Sequence, residues 1–288
     1  MPWTRILSGT VAIAIALGLL TLGGWYFTCG LGIMVYLGLE EYFQLVRLKG
    51  MMPAARTTLV VSQLLLIVAN LNPALTDAIL PVTAILICAW LQFKPKPSSI
   101  ADIAASILGL FYTGYLPSYW VRLRSLGAAA SSNLPLGGFW PDRWLPFNQL
   151  PPGLALLLLA FLCIWAADIG AYFMGRWWGR TKLTQVSPKK TVEGAISGLL
   201  GSMTVATIGA FSLAWPYPLL TGLGLGLIIG GCSLLGDLTE SMMKRDAGVK
   251  DSGQIIPGHG GILDRTDSYI FTAPMMYYFV TLLLPLLR

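Results

Sequence analysis

The sequence predicts an all-α fold, a polytopic bundle of transmembrane helices. Of its 288 residues, 55% are hydrophobic and 11% are charged, against about 25% charged in an average soluble domain. Apolar runs close to the ~20 residues that cross a bilayer as a helix recur along the whole chain. Because bundled membrane helices share one core, we expect one integral domain. Residues 1–150 would form N-terminal membrane helices and an external loop, and residues 151–288 C-terminal helices that carry the main polar loops.

About nine spans are predicted. The first is interpreted as a retained span rather than a signal peptide, because no clear cleavage site follows its apolar run. The third is short enough to be tilted, re-entrant or interfacial instead. The predicted spans are 6–22, 24–39, 58–70, 78–93, 102–117, 153–173, 194–213, 218–236 and 268–286.

The lysines and arginines of the loops orient this bundle. With the N-terminus inside, the inner side carries fifteen of them and the outer side four. Because cytoplasmic loops carry an excess of Lys and Arg, we predict cytoplasmic loops at 174–193 and 237–267. With this orientation, the segment 125–152 is predicted to be an external loop on the membrane surface. Arg122 and Arg124 flank a span end on the outer side, and we expect them at the interface.

The eighth span carries Gly222, Gly226 and Gly230, one glycine every four residues. This spacing places small residues on one helix face and lets a neighbouring helix approach closely. We interpret these three glycines as packing residues.

The few polar residues concentrate in two blocks on the predicted inner side, Asp168–Gly194 and Gly236–Ser268. Asp168 follows a long apolar run and lies within or at the end of the sixth span. A carboxylate there costs several kcal/mol unless it is paired or hydrated, which makes it a functional candidate. The alternative is a buried partner for a neighbouring arginine.

A polar stripe follows the eighth span. Its members stand at i, i+3, i+4 and i+7, so they share one face if the helix continues through them. Alone, the stripe is equally consistent with an ordinary wet face where a helix leaves the membrane. The stripe consists of Asp237, Glu240, Ser241 and Lys244.

The stretch 250–267 contains four glycines, a proline and the only histidine, His259, and we expect no regular helix in it. Glycine-rich backbone can bring its N–H groups close to phosphate oxygens. Asp264 and Asp267 add hard oxygen ligands, and Arg265 adds a donor. The second block is net negative, so it differs from a simple basic patch. Its mixed carboxylates and cations suit a magnesium-bound polyphosphate.

The first block offers a second polar cluster just before the seventh span. Paired lysines at a cytoplasmic helix end are also what topology alone would produce. Both blocks fall on the same predicted membrane face, however, so they can converge on one site. The cluster consists of Ser187, Lys189, Lys190, Thr191 and Glu193.

Residues 241–267 read SMMKRDAGVKDSGQIIPGHGGILDRTD. This segment resembles the signature of phosphatidate cytidylyltransferases, with no departure from the family's fixed positions. DIGAY at 168–172 and SPKKTVEG at 187–194 resemble the same family, although many relatives have Trp where Val192 stands. The resemblance covers the C-terminal half strongly and the N-terminal half only as a run of membrane helices. It implies an enzyme that makes CDP-diacylglycerol from CTP and phosphatidic acid, releasing pyrophosphate.

The resemblance also implies roles for single residues and a magnesium cofactor, with potassium as a further candidate. It assigns metal binding to Asp237, Asp264 and Asp267. Phosphate-clamping and other catalytic roles fall on Lys244, Arg245, Lys250, Asp251, His259 and Arg265. Substrate binding falls on Asp168, Tyr172, Ser187, Lys189, Lys190, Thr191, Glu193, Glu240, Ser241, Gly260 and Gly261.

The implied partners are CTP, phosphatidic acid, membrane lipids and a second copy of the chain in a homodimer, with no nucleic acid. The implied location is a bacterial-type plasma (inner) membrane, with the catalytic loops cytoplasmic. Two alternatives stay open. A CTP-dependent polyprenol or phytol kinase would release CDP and a lipid phosphate instead. A transporter would use Asp168 and Asp237 as intramembrane ion sites.

Overall fold

The computed structural model describes residues 2–94, 98–256 and 260–287, with side chains from residue 9 onward. Within these ranges it contains helices, turns and isolated bridges but no strand, so the all-α prediction is confirmed. The long helices are α1 (Pro2–Leu22), α2 (Gly24–Leu48), α3 (Ala55–Leu71), α4 (Pro73–Gln92), α5 (Ile100–Arg124), α6 (Pro152–Trp178), α7 (Val192–Ser212), α8 (Pro218–Asp246) and α9 (Leu263–Leu287).

Six of the described helices, α4 to α9, are long and apolar enough to span a membrane. The helices α1 and α3 contain shorter apolar segments, Gly9–Leu22 and Ala55–Leu71. Helix α2 has 25 residues but ends in a polar stretch that includes Glu40 and Glu41. The chain is therefore a polytopic membrane protein whose helices match the nine predicted spans in order, with six of them clearly long enough to cross.

The polar inter-helix loops gather at one end of the bundle. The loop after α2 reaches the end of α8, because Lys49 Nζ lies 3.0 Å from Asp246 Oδ1. The loop after α4 joins the loop after α2 through Lys94 Nζ, which donates to the Met52 carbonyl at 3.0 Å. The loop after α6 reaches α8 through Lys190. This polar end is the one to which the sequence assigned the basic cytoplasmic loops.

Arg122 and Arg124 lie inside the protein, and their expected position at the membrane interface stays a prediction. Each is only 2% exposed. Arg124 donates to the carbonyls of Leu20 and Thr21 at 2.8 and 2.7 Å, which lie in the last turn of α1 and lack helical partners. Arg122 lies 2.7 Å from Asp77 on α4. Both guanidiniums join helices rather than face lipid headgroups.

The three glycines of α8 are packing residues, as predicted. A Cβ at Gly222 or Gly226 would collide with the Cα atoms of Thr207 and Met203 on α7. Such contacts allow α7 and α8 to approach backbone to backbone. The close pair fixes the position of the polar end of α8 relative to the loop before α7.

Helix α9 begins earlier than the sequence predicted. Its first residue is Leu263, so Asp264, Arg265 and Asp267 occupy helical turns rather than irregular backbone. The stretch before it is irregular as expected, and Gly260 has a φ of 85°. The contacts that allow the helix to begin at this residue involve α2.

Candidate active site

The polar stripe lies on one face of α8. The helix continues unbroken to Asp246, so Asp237, Glu240 and Lys244 face the same way, as the spacing predicted. Glu240 is fully buried. Ser241 is buried as well, and its hydroxyl lies 3.4 Å from Asp237 Oδ1.

Lys244 joins α8 to α9. Its ammonium contacts Glu240 within α8 and lies 2.5 Å from Asp264 Oδ1 on α9. The lysine side chain is 12% exposed, and both carboxylates are less exposed than that. Removing one member of such a buried set would leave uncompensated charge. Lys244 therefore holds the two helices together at this end.

Asp264 organises the glycine-rich loop. Its Oδ2 accepts the N–H groups of Ser252 and Gly261 at 3.0 and 2.8 Å. The Ser252 hydroxyl lies 3.0 Å from the same oxygen. A Cβ on Gly260 would come within 2.7 Å of it, so the glycine there leaves room for the carboxylate.

Glu41 of α2 is a site residue that the sequence analysis missed. It is 1% exposed and accepts the N–H groups of Ile262 and Leu263, each at 2.9 Å. The Ser252 hydroxyl lies 2.9 Å from Glu41 Oε2. A carboxylate at a helix N-terminus satisfies free N–H groups and interacts favourably with the helix dipole. Glu41 thus explains why α9 begins at Leu263.

Four backbone N–H groups in and next to the loop donate to protein carboxylates. Those of Ser252, Gly261, Ile262 and Leu263 all donate to Asp264 or Glu41. The expectation that the glycine-rich backbone offers N–H groups to phosphate is wrong for these four residues. His259, with residues 257 and 258, lies outside the described residues.

A second group of carboxylates converges from three helices. Asp168 on α6, Asp237 on α8 and Asp267 on α9 lie within electrostatic reach of one another and of Lys190. The Lys190 ammonium is 2.6 Å from Asp237 Oδ2. Asp267 is 9% exposed, and its Oδ1 accepts the N–H of Ser268 at 2.7 Å. We call Asp168, Asp237 and Asp267 the carboxylate cluster.

The carboxylate cluster fits a divalent cation in charge and chemistry. Three carboxylates face one ammonium, and carboxylate oxygens are the ligands that Mg²⁺ prefers. Within the described ranges, no group of three or more His, Cys, Asp or Glu side chains is close enough to hold a metal ion alone. Mg²⁺ commonly uses one or two carboxylates and completes its shell with water and substrate phosphates. The cluster therefore suits an ion that arrives with a polyphosphate.

Several predicted residues of the loop before α7 shape the backbone there. Thr191 accepts the N–H of Gly194 at 3.1 Å and caps α7. Glu193 accepts the N–H groups of Arg180 and Thr181, each at 3.2 Å. The Ser187 carbonyl accepts the Lys190 N–H at 3.0 Å. These bonds aim the Lys190 side chain at α8.

The remaining predicted residues lie around the same polar end. Arg245 donates to the Val249 carbonyl at 3.1 Å, and Tyr172 contacts Arg176 at 2.9 Å on α6. Exposed side chains that could meet a substrate are those of Tyr172, Lys189, Arg245, Lys250, Asp251 and Arg265. The described candidates lie on α6, α7, α8 and α9 or in the loops before α7 and α9.

Comparisons with known proteins show what the chain is similar to. The profile described as the Cytidylyltransferase family matches residues 3–283. A phosphatidate cytidylyltransferase of Synechocystis sp. is 62% identical, covering 100% of this chain and 99% of the relative. Phosphatidate cytidylyltransferase 4, chloroplastic, of Arabidopsis thaliana is 41% identical, covering 96% and 72%. A phosphatidate cytidylyltransferase of Bacillus subtilis is 31% identical, covering 96% and 97%.

Proposed function

This chain belongs to the cytidylyltransferase family, and from that premise we propose that it transfers the cytidylyl group of CTP to phosphatidic acid, forming CDP-diacylglycerol and pyrophosphate. One structural observation carries the proposal. Asp168, Asp237, Asp267 and Lys190 come from four separate segments and lie within electrostatic range of one another at the polar end of a membrane bundle. A soluble nucleotide and a lipid headgroup can both reach such a position.

The reaction needs positioning and charge neutralisation more than a base. An oxygen of the phosphatidate phosphate attacks the α-phosphorus of CTP, and the bond from that phosphorus to the bridging oxygen of the β-phosphate breaks. Pyrophosphate leaves with the electron pair. The phosphate of phosphatidic acid is already ionised near neutral pH, so no strong general base is required. The main obstacle is the repulsion between two polyanions.

Asp237 and Asp267 would hold Mg²⁺, with Asp168 beside them. The bound ion would supply positive charge against the triphosphate. Asp264, which the family resemblance also assigns to the metal, is paired with Lys244 in this structure. It would have to exchange that ammonium for the ion, and until then it positions the loop.

Cationic side chains around the carboxylate cluster would bind the phosphates of the two substrates. Lys190 is 23% exposed beside Asp237, so it can turn toward a phosphate without leaving the cluster. More exposed cations surround it and can approach a substrate from solvent. They are Lys189, Arg245, Lys250 and Arg265.

The proposal also concerns the orientation of the chain in the membrane and its assembly. CTP is a cytoplasmic nucleotide, and the basic loops gather at the polar end, so this end would face the cytoplasm. In a bacterial cell the membrane would be the plasma membrane. We also propose a homodimer, as suggested by the family resemblance.

The proposed reaction predicts a specific pair of products. Purified protein in detergent, given phosphatidic acid and CTP labelled at the α-phosphorus, should place the label in a lipid and release pyrophosphate. A CTP-dependent lipid kinase would leave the label in CDP. A lipid alcohol given instead of phosphatidic acid serves as the matched control and should give no labelled product. Labelled CDP would reject the proposal in favour of the kinase.

Removal of divalent ions should lower the activity by about 100-fold or more, because the ion supplies much of the charge stabilisation. The test is the same assay after treatment with EDTA and gel filtration, followed by titration with Mg²⁺. Mg²⁺ should restore the rate. Full activity after thorough chelation would reject the metal assignment.

A further inference from the structure

Tyr112 has an unusual place in the structure. It lies in a π-helical turn of α5, Leu110–Tyr115, and its side chain is 1% exposed. Its hydroxyl has no hydrogen-bond partner among the described residues. Turns of this kind inside α-helices are frequent at functional sites. A buried hydroxyl without a partner is unfavourable, so its presence needs an explanation.

Tyr112 lies within electrostatic range of three acidic residues of the candidate site. The carboxylates that act on it electrostatically are Asp267, then Glu240, then Asp237. Its ring packs edge-on against Phe271, with 5.5 Å between ring centroids. Phe271 follows Asp267 by one turn of α9, so both lie on the same helix face. The ring contact therefore places Tyr112 against the part of α9 that carries Asp267.

Near Asp267, several buried hydrogen-bond donors and acceptors have no hydrogen-bond partner among the described residues. The Glu240 oxygens accept no hydrogen bond from the described residues apart from their ion pair with Lys244. Asp267 Oδ1 is occupied by the Ser268 N–H. Tyr112 is a buried donor without a partner, and it lies within electrostatic range of these buried acceptors. Carboxylates that bind metals are commonly oriented by such hydrogen bonds.

We infer that Tyr112 is a positioning residue. Its hydroxyl donates a hydrogen bond to the Asp267 carboxylate when the divalent ion binds. The bond would fix the orientation of the Asp267 carboxylate toward the ion. This inference rests on the proposed function for the role of the ion. It adds a residue of the N-terminal half to a site otherwise built mainly from the C-terminal half.

The test compares two substitutions in the same π-helical turn. Tyr112→Phe removes only the hydroxyl and keeps the ring contact with Phe271. Thr113→Val is the matched control. Thr113 is 3% exposed, and its hydroxyl also lacks a partner among the described residues. Its methyl group lies near Gly38 of α2. Both variants should fold, because each removes an unsatisfied buried hydroxyl without changing the shape of the side chain.

Two readouts separate the inference from the proposed function. For Tyr112→Phe, we expect kcat to fall about 10- to 100-fold, with little change in the KM for CTP. The Mg²⁺ concentration that gives half-maximal thermal stabilisation, measured without turnover, should rise by a similar factor. Thr113→Val should match the wild type in both. If the wild type lacks the proposed activity but the stabilisation shifts as expected, the inference stands and the proposed function fails. The inference is overturned if Tyr112→Phe matches Thr113→Val, or if Mg²⁺ does not stabilise the wild type.

Discussion

Asp237→Asn should lower the rate of CDP-diacylglycerol formation by about 100-fold or more. The substitution keeps the size of the side chain but removes its negative charge. That charge pairs with Lys190 at 2.6 Å, and it is proposed to hold the divalent ion. Loss of one preorganised electrostatic group in an active site typically costs a factor on the order of 10²–10³. The measurement is initial rate at saturating CTP and Mg²⁺.

Asp246→Asn is the matched control, because Asp246 ends the same helix and pairs with Lys49 at the surface. Exposed ion pairs contribute about 0–1 kcal/mol, so this variant should keep the wild-type rate within about twofold. A thermal unfolding curve for each variant shows whether the protein is still folded. A folded Asp237→Asn protein with the wild-type rate would remove Asp237 from the mechanism.

The parts of the site that follow local spacing could be predicted from the sequence. The face of α8 that carries Asp237, Glu240 and Lys244 needed only the assumption that the helix continues past the apolar run. The glycine positions at 222 and 226 likewise followed from a four-residue repeat. These features depend on the geometry of a single helix, which the order of residues largely determines.

The parts that depend on long-range contacts could not be predicted. Glu41 contacts Leu263, more than two hundred residues later in the chain, and no local pattern shows that α2 and α9 meet. The same holds for Arg124, which caps α1 from α5. Two adjacent acids at the end of an apolar helix were a usable signal for Glu41. The sequence analysis did not use this signal, which would have marked Glu41 as a candidate without identifying its partner.

The contacts of Glu41 and Asp264 change how the glycine-rich stretch should be understood. In the sequence, its glycines suggested a loop that wraps phosphate. In the structure, a Cβ at Gly253 would come within 2.5 Å of Glu41 Oε1, and one at Gly261 would collide with Oε2. These glycines make room for a buried carboxylate of the protein itself. The described part of the loop therefore packs around Glu41 and Asp264, and phosphate binding by the exposed lysines and arginines remains part of the proposed function.

Glu41→Gln should destabilise the protein and the active site together. The amide has one oxygen where the carboxylate has two, so its NH₂ group would face an N–H donor of Ile262 or Leu263. The buried cap loses at least one hydrogen bond to a charged group, which is worth about 1.5–3 kcal/mol. The favourable charge at the start of α9 is lost as well. We expect a lower thermal midpoint and a rate reduced about tenfold, because Asp264 and Asp267 lie in the first turns of α9.

Glu40→Gln provides the comparison, since Glu40 is the preceding residue of the same helix and is only partly buried. It should change the free energy of unfolding by about 0.5 kcal/mol or less, as substitutions away from buried networks usually do. Activity and thermal unfolding should be measured for both variants under the same detergent conditions. If the two variants had the same activity and the same thermal midpoint, α9 would begin at Leu263 without the Glu41 charge. A lower thermal midpoint with an unchanged rate would mean that Glu41 stabilises α9 but does not determine the geometry of the carboxylate cluster. The expected result, a loss of both, follows because one buried side chain fixes the first turn on which Asp264 and Asp267 stand.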